Sequence, residues 1–104
     1  MPVLLQVDFP FQGPFGAAAA QAMRELAESI AREPGLIWKI WTENEAEQTA
    51  GGVYLFEDEA SARAYLAMHS ARLEGFGVQG LRARVFAVNT ALSQIDRAPL
   101  AGLV

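Results

Sequence analysis

Two apolar runs on either side of a polar segment constrain the fold of this chain most. The runs Leu36–Thr42 and Val53–Phe56 are rich in aromatic and branched residues, and the polar segment Glu43–Gly52 separates them. Such residues favour strands, and the Pro-Gly pair before the first run and the Gly-Gly pair before the second are typical of turns. The pattern predicts a β-hairpin with a long, mobile loop.

Both faces of this hairpin are apolar. Alternate side chains of a strand point to opposite faces of a sheet. One face of the first run would carry Leu36, Trp38 and Ile40, and the other face Ile37 and Trp41 with Lys39 between them. A sheet that is covered on one side only should have a polar outer face. We therefore expect helices on one face of the sheet and a second cover on the other.

The remaining segments complete a βαββαβ order. Alternation predicts strands over Val3–Phe9 and Leu81–Asn89, and helical spacing predicts helices over Phe15–Arg32 and Glu59–Glu74. This order is that of a single ferredoxin-like α+β domain over residues 1–104, with a four-stranded antiparallel sheet and two helices on one face. Because the other face would stay bare and apolar, we expect a homodimer that packs sheet against sheet.

The C-terminal segment Thr90–Val104 is predicted to be a tail. Its apolar residues follow no regular period, and a proline interrupts them; they are Leu92, Ile95, Leu100 and Leu103. Because these side chains need burial but fit no further strand or helix pattern, we expect part of the tail to lie across the partner subunit.

Composition and charge narrow the class of protein. The net charge is −4 and the chain has no cysteine. An acidic chain without the basic-aromatic pattern of RNA-binding sheets is a poor partner for nucleic acid, and without cysteine it has no disulfide or thiolate site. The N-terminal segment lacks the features of a signal peptide, and no apolar stretch approaches the ~20 residues of a membrane span. We expect a cytoplasmic protein without a nucleic-acid or membrane partner.

The usual motifs for cofactors are also missing. The single histidine, His69, belongs to no 2-His-1-carboxylate spacing, and Gly13–Gly16 is too short for a nucleotide-binding loop. Nothing in the sequence supports a Ser-His-Asp arrangement. We therefore expect no metal and no cofactor.

Four segments resemble one known family. In chain order they are VLLQVDFPFQGPFG, EPGLIWKIWTENE, AGGVYLFEDEASARAYL and RVFAVNTALSQI. Together they closely resemble the YdhR family of monooxygenases over nearly the whole chain. The resemblance implies a ferredoxin-like homodimer, the dimeric α+β barrel, with a pocket between sheet and helices in each protomer. It also implies oxygenation of a small aromatic or polycyclic compound, in which an activated phenol or enol is deprotonated and its anion reacts with dioxygen.

Such chemistry needs a base, a donor that holds the anion, and a dry pocket. His69 is a candidate base or donor because its ordinary pKa lies near neutrality. Tyr54 is the alternative base, and Asn89 or Arg84 is the alternative donor. The candidate substrate-binding side chains are Trp38, Trp41, Tyr65, Phe86 and Arg84.

Each candidate also has a structural interpretation. Trp38 and Trp41 could be core or interface residues, His69 could be a hydrogen-bonded core residue, and Asn89 could end a strand. Two other functions stay open as well. One is a non-catalytic small-molecule binding or stress-response protein with the same barrel, and the other is haem degradation with His69 as axial ligand, which a shifted Soret band on haem titration would reveal.

Overall fold

The computed structural model of the protein describes residues 1–100 and contains one four-stranded antiparallel sheet. Its strands are β1 (Val3–Pro10), β2 (Leu36–Asn44), β3 (Thr49–Phe56) and β4 (Arg82–Ala87). They lie in the order β2-β3-β1-β4, which confirms the predicted ferredoxin-like α+β fold. Residues 101–104, including Leu103 of the predicted tail, lie outside the described residues.

The helices differ from the prediction in two places. They are α1 (Gly16–Ala22), α2 (Arg24–Ala31), α3 (Glu59–Gly75) and α4 (Thr90–Ile95). The single helix predicted over Phe15–Arg32 is wrong, because the chain leaves helical geometry at Met23. Alanine-rich α1 buries no residue, so it lacks the large apolar side chains that would hold it in line with α2. The first part of the predicted irregular tail is also helical.

The core lies between the sheet and the helices α2 and α3. Leu5 of β1 is opposite Tyr54 of β3, and Val3 is opposite Phe56, so that these side chains share the face that the helices cover. Ile30 of α2 and Tyr65 of α3 pack onto that face and are almost fully buried. The sheet thus has one helix-covered face, and its second face is the outer face.

A bulge at the start of β2 decides which of its side chains face the helices. Leu36 pairs with Phe56 and Trp38 pairs with Leu55, although Phe56 and Leu55 point to opposite faces. One extra residue, Ile37, is therefore accommodated, as in a β-bulge. The prediction that Leu36 shares a face with Trp38 is wrong, since Leu36 packs against the core.

The predicted long loop over Glu43–Gly52 is wrong. Strands β2 and β3 continue through most of it and leave only a turn at residues 45–48. Asn44 stabilises the turn by accepting a hydrogen bond from the Glu47 N–H at 3.0 Å. Gly51 and Gly52 lie inside β3 and pair with β1 on one side and β2 on the other. The polar and glycine-rich composition of this segment therefore did not indicate a loop. The mobility of the turn stays a prediction.

The chain's own C-terminal segment covers part of the outer face. The Trp38 indole N–H donates to the Pro99 carbonyl at 3.1 Å, and Leu100 is almost fully buried. Leu55, which points to this face, is fully buried as well. A contact of the tail with a partner subunit stays a prediction. Within residues 1–100, no helix is long and apolar enough to cross a membrane.

A substitution at Gly51 tests the register in which β3 pairs with β1. It pairs with Asp8 of β1, and a Cβ atom there would overlap the Val7 carbonyl oxygen and lie 2.8 Å from the Asp8 Cα. Because these are backbone atoms, we expect Gly51→Ala to lower the free energy of unfolding by about 1–3 kcal/mol in urea titrations. Gly75→Ala is the control, since its Cβ meets nothing within 4 Å. Equal stability of the two variants would contradict the register.

Candidate functional site

A cavity of about 570 Å³ lies between the helix-covered face of the sheet and the helices α1, α2 and α3. Its walls are mostly apolar and aromatic, as in sites for small organic molecules. The large apolar side chains that line it are Phe9, Phe11, Met23, Leu26, Trp41 and Leu73.

Small residues on opposite sides leave room for this cavity. Ala19 and Ala20 of α1 and Ala27 of α2 line it from the helices, and Ala50 and Gly51 line it from β3. Larger side chains at these places would fill the space that a ligand needs. The small side chains of the alanine run in α1 therefore leave space for the cavity in addition to favouring a helix.

Two hydrogen bonds connect the start of α1 and the segment before it to the end of the hairpin. The Gly16 N–H donates to the Glu43 carboxylate at 2.9 Å, and the Phe11 N–H donates to the Gln48 carbonyl at 2.7 Å. Phe11 also packs edge-to-face on Phe15 with ring centres 5.7 Å apart. These contacts hold the hairpin and the start of α1 together at one side of the cavity.

Lys39, the only lysine of the chain, projects from β2 into the cavity. Its Nζ atom lies 3.4 Å from the centre of the Trp41 ring and 4.7 Å from that of Tyr54. Burial lowers the pKa of Lys39 to about 7, and the positive charge of Arg72 acts in the same direction. A substantial fraction of the amine is therefore neutral at physiological pH.

Gly52 makes room for the lysine side chain. It lies in β3 opposite Trp41, and a Cβ atom at this position would approach the Lys39 Cε to 2.6 Å and the Tyr54 ring to 3.2 Å. The absence of a side chain at Gly52 thus lets the Lys39 stem pass beside Tyr54 to reach the cavity.

Two tyrosines form a buried pair beside the lysine. The Tyr65 hydroxyl donates to the Tyr54 oxygen at 3.2 Å, and the ring centres are 5.0 Å apart. Burial raises the pKa of both phenols, so both stay neutral at physiological pH. Because Tyr54 accepts from Tyr65, its own hydroxyl hydrogen is left for another acceptor. Tyr54 lines the cavity, whereas Tyr65 lies behind it.

His69 lines the same cavity from α3 and is only 3% exposed. Arg72 donates to its Nδ1 from Nη2 at 2.9 Å, and since arginine has no acceptor, the hydrogen of the neutral ring must be on Nε2. Burial lowers the pKa of His69 to about 4, helped by the charges of Arg72 and Lys39. At neutral pH His69 is therefore a hydrogen-bond donor and a weak base.

Four predicted site residues lie away from this cavity. Arg84 pairs with Gln6 and Phe86 pairs with Leu4, so that both point to the outer face, as Trp38 does. Asn89 is the N-cap of α4, where its side chain accepts from the Leu92 N–H at 3.0 Å. The structure thus brings together Trp41, Tyr54 and His69, with Tyr65 behind them.

Lys39 is the functional candidate that sequence reasoning missed. The signal was present: the chain's sole lysine lies between two tryptophans in an otherwise apolar strand, on the same face as Trp41. In the part of the chain that the structure describes, no group of three or more His, Asp or Glu side chains is placed to hold a metal ion.

Solved structures share this fold. The chain is similar to SnoaB, a cofactor-independent oxygenase from Streptomyces nogalater, with a TM-score of 0.60 at 18% identity over 85% of this chain and 93% of that one. It is also similar to the monooxygenase ActVA-Orf6 of Streptomyces coelicolor in complex with nanaomycin D, with a TM-score of 0.57 at 21% identity over 84% and 87%. No curated protein matches the chain.

A third similar structure is described as a "putative antibiotic biosynthesis monooxygenase" from Deinococcus radiodurans, with a TM-score of 0.56 at 14% identity over 84% of this chain and 92% of that one. Fold and cavity therefore define a ferredoxin-like protein with the fold of these oxygenases and a partly open cavity of a size suited to a small molecule. Residues 4–99 match the family model described as "Putative mono-oxygenase ydhR", and the chain belongs to that family, as its sequence resemblance predicted.

The environment of His69 predicts a pH dependence of stability. Its pKa is about 4 in the folded protein and 6.5 in the unfolded chain, so only the unfolded chain gains this proton between those values. Stability should therefore fall as the pH drops from about 6.5 towards 4. In urea titrations across this window, wild type should lose more unfolding free energy than His69→Gln. Equal losses would show that His69 is not buried as described.

Proposed function

We propose that this protein is a monooxygenase that oxidises a small aromatic or polycyclic compound with dioxygen in the cavity, without a cofactor. Membership of a monooxygenase family supports the reaction class. The observation that carries the proposal is the position of the Lys39 amine in the cavity, against the aromatic rings of Trp41 and Tyr54, where burial lowers its pKa to about 7. In this site Lys39 takes the role of base that the sequence had suggested for His69 or Tyr54.

The proposed reaction begins with proton transfer. A substrate with an activated methylene, or the phenol from which it tautomerises, gives a proton to the Lys39 amine. The carbanion passes one electron to dioxygen, and the radical pair combines to a peroxide at the same carbon. The ammonium returns its proton to the peroxide oxygen. Loss of the second C–H proton then breaks the O–O bond, so that CH₂ and O₂ become C=O and H₂O.

The remaining polar groups hold the charge that develops. The free hydroxyl hydrogen of Tyr54 and the Nε2–H of His69 are donors suited to the substrate oxyanion. Both groups are uncharged at neutral pH and keep these hydrogens. Burial raises the pKa of Tyr54, so the phenol stays protonated, and it lowers the pKa of His69, so the ring is neutral with one N–H. The ammonium formed on Lys39 adds a positive charge next to the anion. Arg72 fixes the His69 ring through its Nδ1.

Oxygen uptake in the presence of hydroxylated naphthalenes and of tricyclic aromatics with an activated methylene tests this proposal. Lys39→Met keeps an apolar stem but has no base, so we expect kcat/KM to fall by about 100-fold or more. Tyr54→Phe and His69→Leu each remove a donor and should lower kcat by about tenfold or more. Arg63→Gln on the exposed side of α3 is the matched control.

Two results would contradict the oxygenase proposal. One is full activity of Lys39→Met, which would leave the reaction without its base. The other is ligand binding by wild type without oxygen uptake across the panel, which would favour the non-catalytic binding protein.

The cytoplasmic location expected from the sequence belongs to the proposal as well.

We further propose that the outer face of the sheet forms a homodimer. Large apolar side chains are exposed on it, with Ile40 55% and Phe86 42% exposed, and Ile95 of α4 is 76% exposed. A second copy would cover such a patch, which is unusual on a monomer. This arrangement would give Trp38, Phe86 and Arg84 an interface role instead of a substrate-binding one.

Sedimentation velocity tests the dimer. Wild type should be a dimer at micromolar concentration, and Ile40→Glu should raise the dissociation constant about tenfold or more, because it places an unpaired charge in the interface. The control is Met68→Glu, since Met68 is 39% exposed on α3, on the other side of the sheet. A wild-type monomer, or equal effects of the two variants, would contradict the proposal.

A further inference from the structure

The Lys39 amine has no ionic partner in the described part of the chain. Among residues 1–100 the carboxylates that form ion pairs are those of Asp8, Glu28 and Glu59, and each pairs with an arginine. Glu43, the carboxylate that lines the cavity, accepts from the Gly16 N–H. The near neighbours of Nζ are the rings of Trp41 and Tyr54. A lysine buried without a counter-ion has its lone pair available for chemistry.

Two features of the surroundings activate such an amine as a nucleophile. A lysine becomes nucleophilic when an apolar pocket desolvates it or when another cation lies nearby. Both features are present here, since the cavity walls are apolar and Arg72 is close enough for its charge to act on Lys39. With a pKa of about 7 instead of 10.5, a much larger fraction of the amine is neutral at pH 7 than in an ordinary lysine.

The neighbouring phenol supplies the second group that carbonyl chemistry needs. Attack of an amine on a carbonyl requires a proton donor for the oxygen that leaves as water. Tyr54 lies beside Lys39, accepts its hydrogen bond from Tyr65, and keeps its own hydroxyl hydrogen free. Burial raises its pKa, so the proton stays on the oxygen until an acceptor arrives.

We propose that the cavity also captures uncharged aromatic aldehydes and ketones as imines on the Nζ atom of Lys39. The nitrogen attacks the carbonyl carbon, and the oxygen takes up a proton to give a carbinolamine. Loss of water and of a proton from nitrogen then gives the C=N bond, with nothing oxidised or reduced. The aromatic walls select flat apolar carbonyl compounds, and bound ligands of this kind would block the base of the oxygenase reaction.

Reductive trapping without dioxygen tests this activity separately from the proposed oxygenase. The protein is incubated anaerobically at neutral pH with 2-naphthaldehyde and cyanoborohydride, and peptide mapping by mass spectrometry locates the secondary amine. Because the chain has one lysine, the other reactive amine is the N-terminus of Met1. We expect Lys39 to be labelled about tenfold or more faster in the folded protein than in the same chain unfolded in urea.

Gly52→Ala serves as a second variant because it keeps the lysine. Its new Cβ would push the Lys39 Cε aside, so trapping at Lys39 should slow at least about fivefold, whereas Gly75→Ala should label as wild type does. Labelling confined to Met1, or equal Lys39 rates in folded and unfolded chains, would overturn the proposal. If wild type traps the aldehyde at Lys39 but consumes no oxygen with the substrate panel, only the oxygenase proposal is contradicted.

Discussion

The site depends on one physical constraint, the partial burial of the Lys39 amine in an apolar cavity where no carboxylate of residues 1–100 forms an ion pair with it. Desolvation favours the neutral form of a lysine, whereas an adjacent carboxylate would restore the ammonium. The bulge at Ile37 turns Lys39 and Trp41 towards the helices, and Gly52 leaves the space for the lysine stem. Small residues on α1 keep the cavity open above it. These local features serve the fold and the chemistry together.

Burial then gives the neighbouring groups different roles. The same desolvation that lowers the pKa values of Lys39 and His69 raises those of Tyr54 and Tyr65, so that each group tends towards its neutral form. Neutral lysine is a base, whereas neutral tyrosine and neutral histidine are donors. Pairs of groups whose surroundings separate their proton affinities are a common way to divide acid and base roles. Arg72 contributes by orienting His69 and by adding a positive charge nearby.

Sequence patterns predicted the fold better than the site. Alternation in β1, β2 and β4 and the order of elements were enough for the ferredoxin-like sheet, and Trp41, Tyr54 and His69 do line one cavity. Arg84 and Phe86 point to the opposite face of the sheet from this cavity. The sequence could not show this, because it does not reveal which face of the sheet the helices cover. A lone lysine between two tryptophans marked the position of Lys39, but the sequence did not show that this side chain lies in the cavity, because that depends on which face of the sheet the helices cover.

The most direct test of this account is the protonation of Lys39 in the intact protein. Because Lys39 is the only lysine, its ¹³Cε–¹Hε signal in a labelled sample is a single NMR peak that can be followed from about pH 5 to 11 while the fold stays intact. We expect a midpoint near 7, the value that its burial implies. A midpoint near the ordinary 10.5 would contradict the claim that this site holds a neutral amine.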